Sequence, residues 1–290
     1  MALSFADSDF TTPGAYREYL LQKVSAATGE FTENLVVLPG MTAVYLAYLF
    51  GELGDVPDFA EAIRLYLALP ISWHNDLLAL QQKVARDASV WMVAGTAFVR
   101  ENNRLYHEAT LLSSAGDIAG RQRQVFLSRK EKALGLSRGE DLHVFTAGDH
   151  KIGIIIGTDA WYPETGRILA LKGADIICHC GALPAGENRW LQLAGMWQQV
   201  QQNQFFCVES QFSSMITNQE FTAESRILAP CEMTAGFTGV LAREQTAGET
   251  VQALLNSTDR RRVIDNYPLL KLLHPAAYRP LLTGSGGGLS

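Results

Sequence analysis

Short apolar runs alternate with helical-period segments along most of this chain. Leu35-Val36-Val37-Leu38 is an uninterrupted apolar run that Pro39-Gly40 ends. Ser89 to Val99 is rich in β-branched and aromatic residues, and Ile152 to Ile156 is continuous Ile and Gly, the pattern of a strand buried on both faces. Ala174 to Ile177 and Phe205 to Glu209 repeat that type. Between them, apolar residues recur at helical spacing over Ala15 to Ala27 and over Asn75 to Asp87, where Asn75 or Asp76 is a candidate N-cap. Thr165 to Lys172 predicts a short helix stopped by Gly173, and Arg189 to Asn203 a longer one that runs into a strand. The alternation predicts an α/β fold. Periodicity alone goes no further.

Composition removes several function classes. The 290 residues suffice for a large core, as one large domain or two small ones. With no internal repeat, low-complexity run or Pro/Gly/Ser-rich linker in 1–283, one domain is expected, followed by a flexible Gly-rich tail at 284–290. Lys and Arg number 24 against 30 Asp and Glu, a net charge of -6 without a basic block, so neither nucleic acid nor an anionic membrane surface is an expected partner. Met1 to Thr12 lacks the basic and apolar regions of a signal peptide, and the longest apolar stretch, Met41 to Phe50, is too short to span a bilayer. Cys178, Cys180, Cys207 and Cys231 lack CxxC spacing and are expected as reduced thiols in a cytoplasmic protein. His74, His107, His143, His150 and His274 show neither HxH nor HExxH spacing, and no GxGxxG or GxxxxGK[ST] motif occurs, so no metal or cofactor is expected.

Lys151 to Ala182 reads KIGIIIGTDAWYPETGRILALKGADIICHCGA. Asp159, Pro163, Glu164, Arg167, Gly173, Ala174 and Asp175 fall without a gap on a pattern of the nitrilase (carbon–nitrogen hydrolase) superfamily, approximately iGvliCyDlwfPEvgR followed by GAdii and PsA, which this segment resembles. Leu35 to Gly40 (LVVLPG) resembles the strand end LVVFPE that carries the family's catalytic Glu. Val93-Ala94-Gly95-Thr96 resembles its central strand, and Gly116 to Leu127 (GDIAGRQRQVFL) the segment with its catalytic Lys. Trp197 to Phe206 resembles its RAiEN helix and the strand after it. Asn266 to Leu282, with Pro268, Tyr278 and Arg279, resembles the tail that wraps toward a partner subunit. The resemblance covers about residue 2 to about residue 282, with Ala2 to Ala6 a short, weak version of the opening strand.

In that family a Cys attacks a nitrile or amide carbon, a Glu takes the thiol proton, and a Lys ammonium stabilises the oxyanion. The resemblance places the Glu at Gly40, the Lys at Gln124 and the Cys at Gly157, where I-G-T-D replaces I-C-Y-D. A further family Glu falls on Glu131 and is retained; the Glu of RAiEN falls on Gln202, before Asn203, and is not. Three replacements at separate anchors, in otherwise intact surroundings, imply that the hydrolytic chemistry is gone. Loss of a nucleophile alone costs on the order of 10⁶ in kcat.

Each position also has a plainer role. Gly157 is either a widened pocket floor or a turn at a strand end where glycine is tolerated. Gln124 either hydrogen-bonds a ligand carbonyl or fills the space of a lost charge. Glu131 is either a pocket carboxylate without its Lys, which recruits a cation or titrates high, or a surface ion pair with Arg129, Lys130 or Lys132. Asp159 and Glu164 hold the loop after the elbow, with Arg167 as an ion-pair partner. Thr158 stands beside the nucleophile position and, with Asp159, weakly resembles a Thr nucleophile with its carboxylate base. Cys178 and Cys180 share one strand face and His179 the other, so His179 cannot activate either; buried inert thiols are the plainer reading, a relocated Cys180 nucleophile or a two-thiol metal site the sharper ones.

The resemblance implies a four-layer αββα sandwich and homodimers, or higher oligomers, packed through helices that include the one after Trp161. The apolar segment Tyr267 to Leu273 would need a surface to cover. The function expected is a non-catalytic, nitrilase-like protein that binds a small carbonyl, amide or carboxylate ligand through residues such as Gln124, Glu131, Thr158 and Cys180, or that assembles with another protein. The alternative is a C–N hydrolase with a rearranged site built on Glu131 and Cys180.

Overall fold

A computed structural model describes residues 1–5, 10–27, 33–186, 192–246 and 248–278. Ala6, Arg279 and the tail at 284–290 lie outside them.

A first sheet holds β1 (Leu35–Val37), β2 (Trp91–Glu101), β3 (Arg104–Leu112) and β4 (Ile118–Arg123) in that order, with β1 and β2 parallel and the others antiparallel. A second sheet runs β12-β11-β8-β7-β6-β5: β12 (Val240–Arg243), β11 (Arg226–Leu228), β8 (Phe206–Phe212), β7 (Ile176–Ala182), β6 (His150–Ile156) and β5 (Val144–Ala147). Its centre, β6-β7-β8, is parallel. β9 (Ser214–Ile216) and β10 (Gln219–Phe221) form a separate hairpin.

The apolar patterns sort these elements into layers. Val37, Val93 and Leu111 of the first sheet pack against Ile154, Ile156, Cys178, Cys180 and Val208 of the second. The outer face of the first sheet, with Val36, Leu38 and Met92, is covered by α1 (Pro13–Ala27), α2 (Thr42–Leu49), α3 (Phe59–Tyr66) and α4 (Ile71–Asp87). The outer face of the second, with Ile155, Ile177 and Cys207, is covered by α6 (Pro163–Leu171) and α7 (Gln198–Asn203). The result is the expected helix–sheet–sheet–helix sandwich, because continuous apolar strands must be covered on both faces. Two short helices, α5 (Arg129–Ala133) and α8 (Ser257–Asn266), lie outside those layers; Asn256 caps the latter.

Several expectations need correction. α4 starts at Ile71, behind Pro70, whose ring fixes an entry compatible with a helix start; Asn75 and Asp76 are interior residues, not caps. β7 starts at Ile176, because the Asp175 carboxylate accepts from Lys151 N and contacts His150 in the preceding turn, and it continues to Ala182. The Met41–Phe50 run is α2, apolar on all sides and buried, which no amphipathic period could reveal. Ala2 makes isolated bridges to Val37 and Val251 and forms no strand. Of Arg189 to Asn203, the described part is a π-turn at Leu193–Trp197, broken by non-helical Gly195, followed by α7. Tyr267 and Leu272 remain exposed.

The parallel strands β6, β7 and β8 end at one edge of their sheet, and the Gly40 amide, just past β1, donates to Gly181 O of β7 at 3.1 Å. The chain therefore gathers Gly40, Gly157 and Gly181 at the carboxyl end of the strands, where α/β sheets place ligands.

Candidate functional site

Gly157 follows β6 in a left-handed conformation, φ 50°, which a glycine adopts without penalty. A Cβ there would lie 3.7 Å from Gln124 Nε2 and 3.9 Å from Glu131 Oε1, both ordinary contacts. A Cβ at the nucleophile position would thus fit without a clash, in ordinary contact with those two residues.

Behind it runs a directed hydrogen-bond chain. Met41 N donates to Thr96 Oγ1, which lies 2.7 Å from His107 Nε2; His107 Nδ1 lies 2.7 Å from Gln124 Oε1. Gln124 Nε2 donates to Phe126 O and to Thr158 Oγ1, and the Thr158 hydroxyl donates to Phe126 O at 2.7 Å. One tautomer satisfies every member: the neutral imidazole with its proton on Nδ1, given to Gln124, and Nε2 accepting from Thr96. Burial lowers the His107 pKa, outweighing the pull of Glu131 and of Gln124. Gln124 suits this place because it both accepts and donates, whereas an ammonium could only donate. Thr96 reaches the chain because β2 bulges at Gly95, whose φ of 74° and closeness to the Thr42 side chain require glycine.

Glu131 divides its carboxylate. Oε2 accepts from Ser128 N at 2.7 Å, closing a capping box at the start of α5, and lies 3.3 Å from Thr158 Oγ1. Oε1 faces the elbow, and among the described residues the nearest cationic candidate is His107 Nδ1, 4.0 Å away. The side chain is 17% exposed, so Glu131 is a pocket residue and makes no ion pair with Arg129, Lys130 or Lys132 among the described residues. Asp159 is wholly buried and ties the next loop by accepting from Val125 N and Phe126 N. Burial, against those amides but with the help of Glu131, raises its pKa to about 7. The expected ion pair of Arg167 is absent among the described residues: its guanidinium donates to Gln202 O, because the carboxylate of Asp159 is already taken by backbone amides.

Gly40 is the opposite of Gly157. A Cβ on it would lie 2.8 Å from both the carbonyl carbon and oxygen of Gly181, so backbone fills the direction a side chain would take. Gly181 in turn carries the Gln211 side chain against it.

Beyond the elbow lies a buried charged group that no sequence motif marked. His179 Nδ1 is 3.2 Å from Glu209 Oε1 and its Nε2 is 3.3 Å from Gly157 O. Arg226 forks onto Glu209 Oε2, with Nε at 2.8 Å, and Gln211 donates to Glu209 Oε1. Burial would raise the Glu209 pKa; Arg226 and then His179 overcome it and hold it at about 2. Both ring nitrogens of His179 lie against acceptors, the Glu209 carboxylate on one side and the Gly157 carbonyl on the other. The signal was present in sequence: Glu209 is the one charged residue of β8 and Arg226 the one of β11, and charges occur buried only when paired.

Of the cysteines, Cys178, Cys180 and Cys207 are buried, and Cys180 also borders the cavity that Glu131 and Thr158 line. Cys178 and Cys180 face the core between the sheets while His179 faces away, as strand alternation requires. Burial pushes Cys178 up to about 12 and Cys180 and Cys207 well above the ordinary thiol range. No group of three metal-ligating side chains occurs among the described residues.

Gly40, Glu131, Gly157, Thr158, His179 and Glu209 border one cavity of about 410 Å³, with Phe59, Phe98, Trp161 and Phe221 on its walls. Gln124 is fully buried behind Thr158 with both ends of its amide occupied, so it supports the cavity and does not face it. A larger cavity of about 450 Å³, bordered by Trp91, His150 and Ile152, lies elsewhere and shares none of these residues.

Residues 15–230 match the family model for carbon-nitrogen hydrolase. The chain belongs to that family. It is 41% identical over 146 residues to a nitrilase of Pyrococcus abyssi, a match covering 50% of this chain and 51% of that protein. It thus spans about half the length of that relative. A carbon-nitrogen hydrolase from Helicobacter pylori G27 superposes with a TM-score of 0.74 at 18% identity, covering 93% of this chain and 92% of that one. A variant of the amidase from Nesterenkonia sp. AN1, with an acetamide moiety covalently added at its active site cysteine, superposes with a TM-score of 0.71 at 15% identity, covering 93% and 92%. Within the family, this chain's elbow carries Gly157 followed by Thr158. No helix among the described residues is long and apolar enough to cross a membrane.

Proposed function

We propose that this protein keeps the pocket of the carbon–nitrogen hydrolases without their hydrolysis, and binds a small ligand there. The observation that carries this reading is Gly157: a residue without a side chain stands at the elbow, where there is room for a Cβ in ordinary contact with Glu131. Two others support it. Gly40 abuts the Gly181 backbone, leaving no room for a general base, and Gln124 is locked into a neutral network where a cation would stabilise an oxyanion. The pocket volume of about 410 Å³ suits a small molecule.

A rearranged hydrolase using Cys180 and Glu131 is disfavoured by the thiol's burial between the sheets and its raised pKa, since the thiolate is the nucleophile. Self-association fits Trp161, Tyr162, Ile168 and Leu171, which leave α6 and the turn before it with an exposed apolar face, Leu171 being 60% exposed.

Ammonia release tests the reading. The protein is offered nitriles, primary amides, ω-amides and N-carbamoyl compounds, and no turnover above background is expected. Turnover that disappears on thiol alkylation would overturn it and return attention to Cys180. Light scattering on the same sample reads the oligomer; a monomer at tens of micromolar would remove the self-association part.

A further inference from the structure

We infer that the pocket takes a small organic cation, an ammonium or amidinium group on an apolar body, with Glu131 as its counter-ion. This rests on the ligand-binding reading above and adds the charge of the ligand. Charge balance is the first ground. Glu131 Oε1 points at the space beside Gly157 and has no hydrogen-bond donor among the described residues. Gln124 stands where the resemblance puts a lysine and brings no charge. His107, 4.0 Å from Oε1, gives its Nδ1 proton to Gln124 and is held toward its neutral form by burial. Across the elbow, Glu209 is paired with Arg226 and also held by Gln211 and His179, so the Glu209–Arg226 pair brings the pocket no net charge. Asp159, behind the elbow, is occupied by Val125 and Phe126 amides and adds negative potential to the extent that it is ionised. Among the described residues, Glu131 therefore sits in a sheltered site with no Lys or Arg in ion-pair contact.

The walls point the same way. Phe59, Phe98, Trp161 and Phe221 border the cavity, and aromatic faces attract cations through their quadrupoles. Arg129 and Lys130 also border it but are exposed, so solvent and salt screen them. An anionic ligand would meet the Glu131 charge, and the buried side-chain donors beside the elbow are turned elsewhere: Thr158 donates to Phe126 O, Gln124 is occupied, and both His179 nitrogens face acceptors. A carboxylate ligand, one of the expectations from sequence, fits this pocket worst.

Four compounds that share a phenyl ring and differ in charge decide the matter: benzylammonium, benzamidinium, benzamide and benzoate, titrated calorimetrically into the full chain at pH 7. The two cations should bind at least about tenfold more tightly than benzamide, the margin of one charge-assisted hydrogen bond, and benzoate should give no heat. Glu131→Gln should remove the preference for cations and leave benzamide within about twofold. Because Glu131 also caps α5, Ser128→Ala is the control: it breaks the capping box, keeps the carboxylate, and should keep the preference. Benzamide or benzoate binding as tightly as the cations overturns the cation assignment while leaving a ligand pocket. Binding by none of the four overturns the pocket as well.

Discussion

Gly40 and Gly157 occupy neighbouring strand ends, carry the same side chain, and stand where the family resemblance puts two catalytic groups, yet they differ physically. Gly40 is sealed: the Gly181 backbone occupies the direction of its missing side chain, with a contact of 2.8 Å. Gly157 is open: its missing side chain would meet only the Gln124 amide and Glu131 at 3.7 and 3.9 Å. Two glycines at matching points of the resemblance are therefore not equal in space. At Gly40 the backbone of β7 fills the direction of a side chain, and a side chain there would need β7 to move. At Gly157 there is room for a side chain, and the walls around it are held by hydrogen bonds and buried charge.

The largest expected effect comes from breaking what holds the open side. Arg226→Leu would leave Glu209 buried without its guanidinium, and removing one partner of a buried pair costs about 3–5 kcal/mol. Chemical denaturation should show a loss of that size, together with increased exchange of amides around Gly157, because His179 spans Glu209 and the Gly157 carbonyl. A loss under about 1 kcal/mol would mean that the charged chain is not what keeps this side in place.

The next effect is a pH slope. Asp159 has a folded pKa near 7 against an ordinary value of 3.8, so the folded state binds the proton more tightly than the unfolded state. Its contribution is therefore full at low pH and is lost as pH rises from about 4 to about 7. Asp159→Asn should flatten the dependence of unfolding free energy on pH in that window, measured in urea at half-unit steps; an unchanged slope would place its origin elsewhere. Glu209 works in the other direction: its stabilisation is present above pH 4.5 and is lost as pH falls toward 2.

Testing the sealed side needs only one carbon. Gly40→Ala places a methyl against the Gly181 carbonyl, and overpacking of a rigid backbone contact costs about 1–3 kcal/mol. Thermal unfolding that stays within error of the parent would show that β7 yields easily and that the closure is soft.

These contrasts also set the limit of what the sequence could say. The elbow was legible because one gap-free stretch, Lys151 to Ala182, combines a strand composition with Asp159, Pro163 and Gly173 at fixed spacing. β1, β2, β6 and β8 were legible because strands buried on both faces leave unbroken apolar runs. α2 was not, because a helix buried all round has no polar face to mark its period. The polar network was hidden for a different reason. His107, Gln124 and Thr158 lie on separate elements, and only register, which sequence does not print, brings them within 2.7 to 2.8 Å of one another's partners. The same holds for His179 on β7, Glu209 on β8 and Arg226 on β11, adjacent by strand pairing alone. Glu131 was found by position, but that its two oxygens would part, one to a helix cap and one to the pocket, is a matter of geometry.

The smallest stability effect should come from refilling the open side. Gly157→Cys puts a side chain on a residue with φ 50°, a left-handed conformation that costs a non-glycine residue about 1–2 kcal/mol, with no steric contact to add to it. Its thiol would stand in the cavity beside Glu131, whereas Cys178, Cys180 and Cys207 are buried with pKa values raised by desolvation. Cys231 is partly exposed and would label in the parent, so the measurement belongs in a Cys231→Ser background. There, iodoacetamide should label a single site, residue 157, while the three buried thiols stay unmodified in the native state. Benzylammonium should slow that labelling and benzoate should not, since only the cation pairs with Glu131. If the new thiol reacts no faster than the buried three, Gly157 is as closed as Gly40, and the contrast between the two glycines disappears along with the pocket that was read from it.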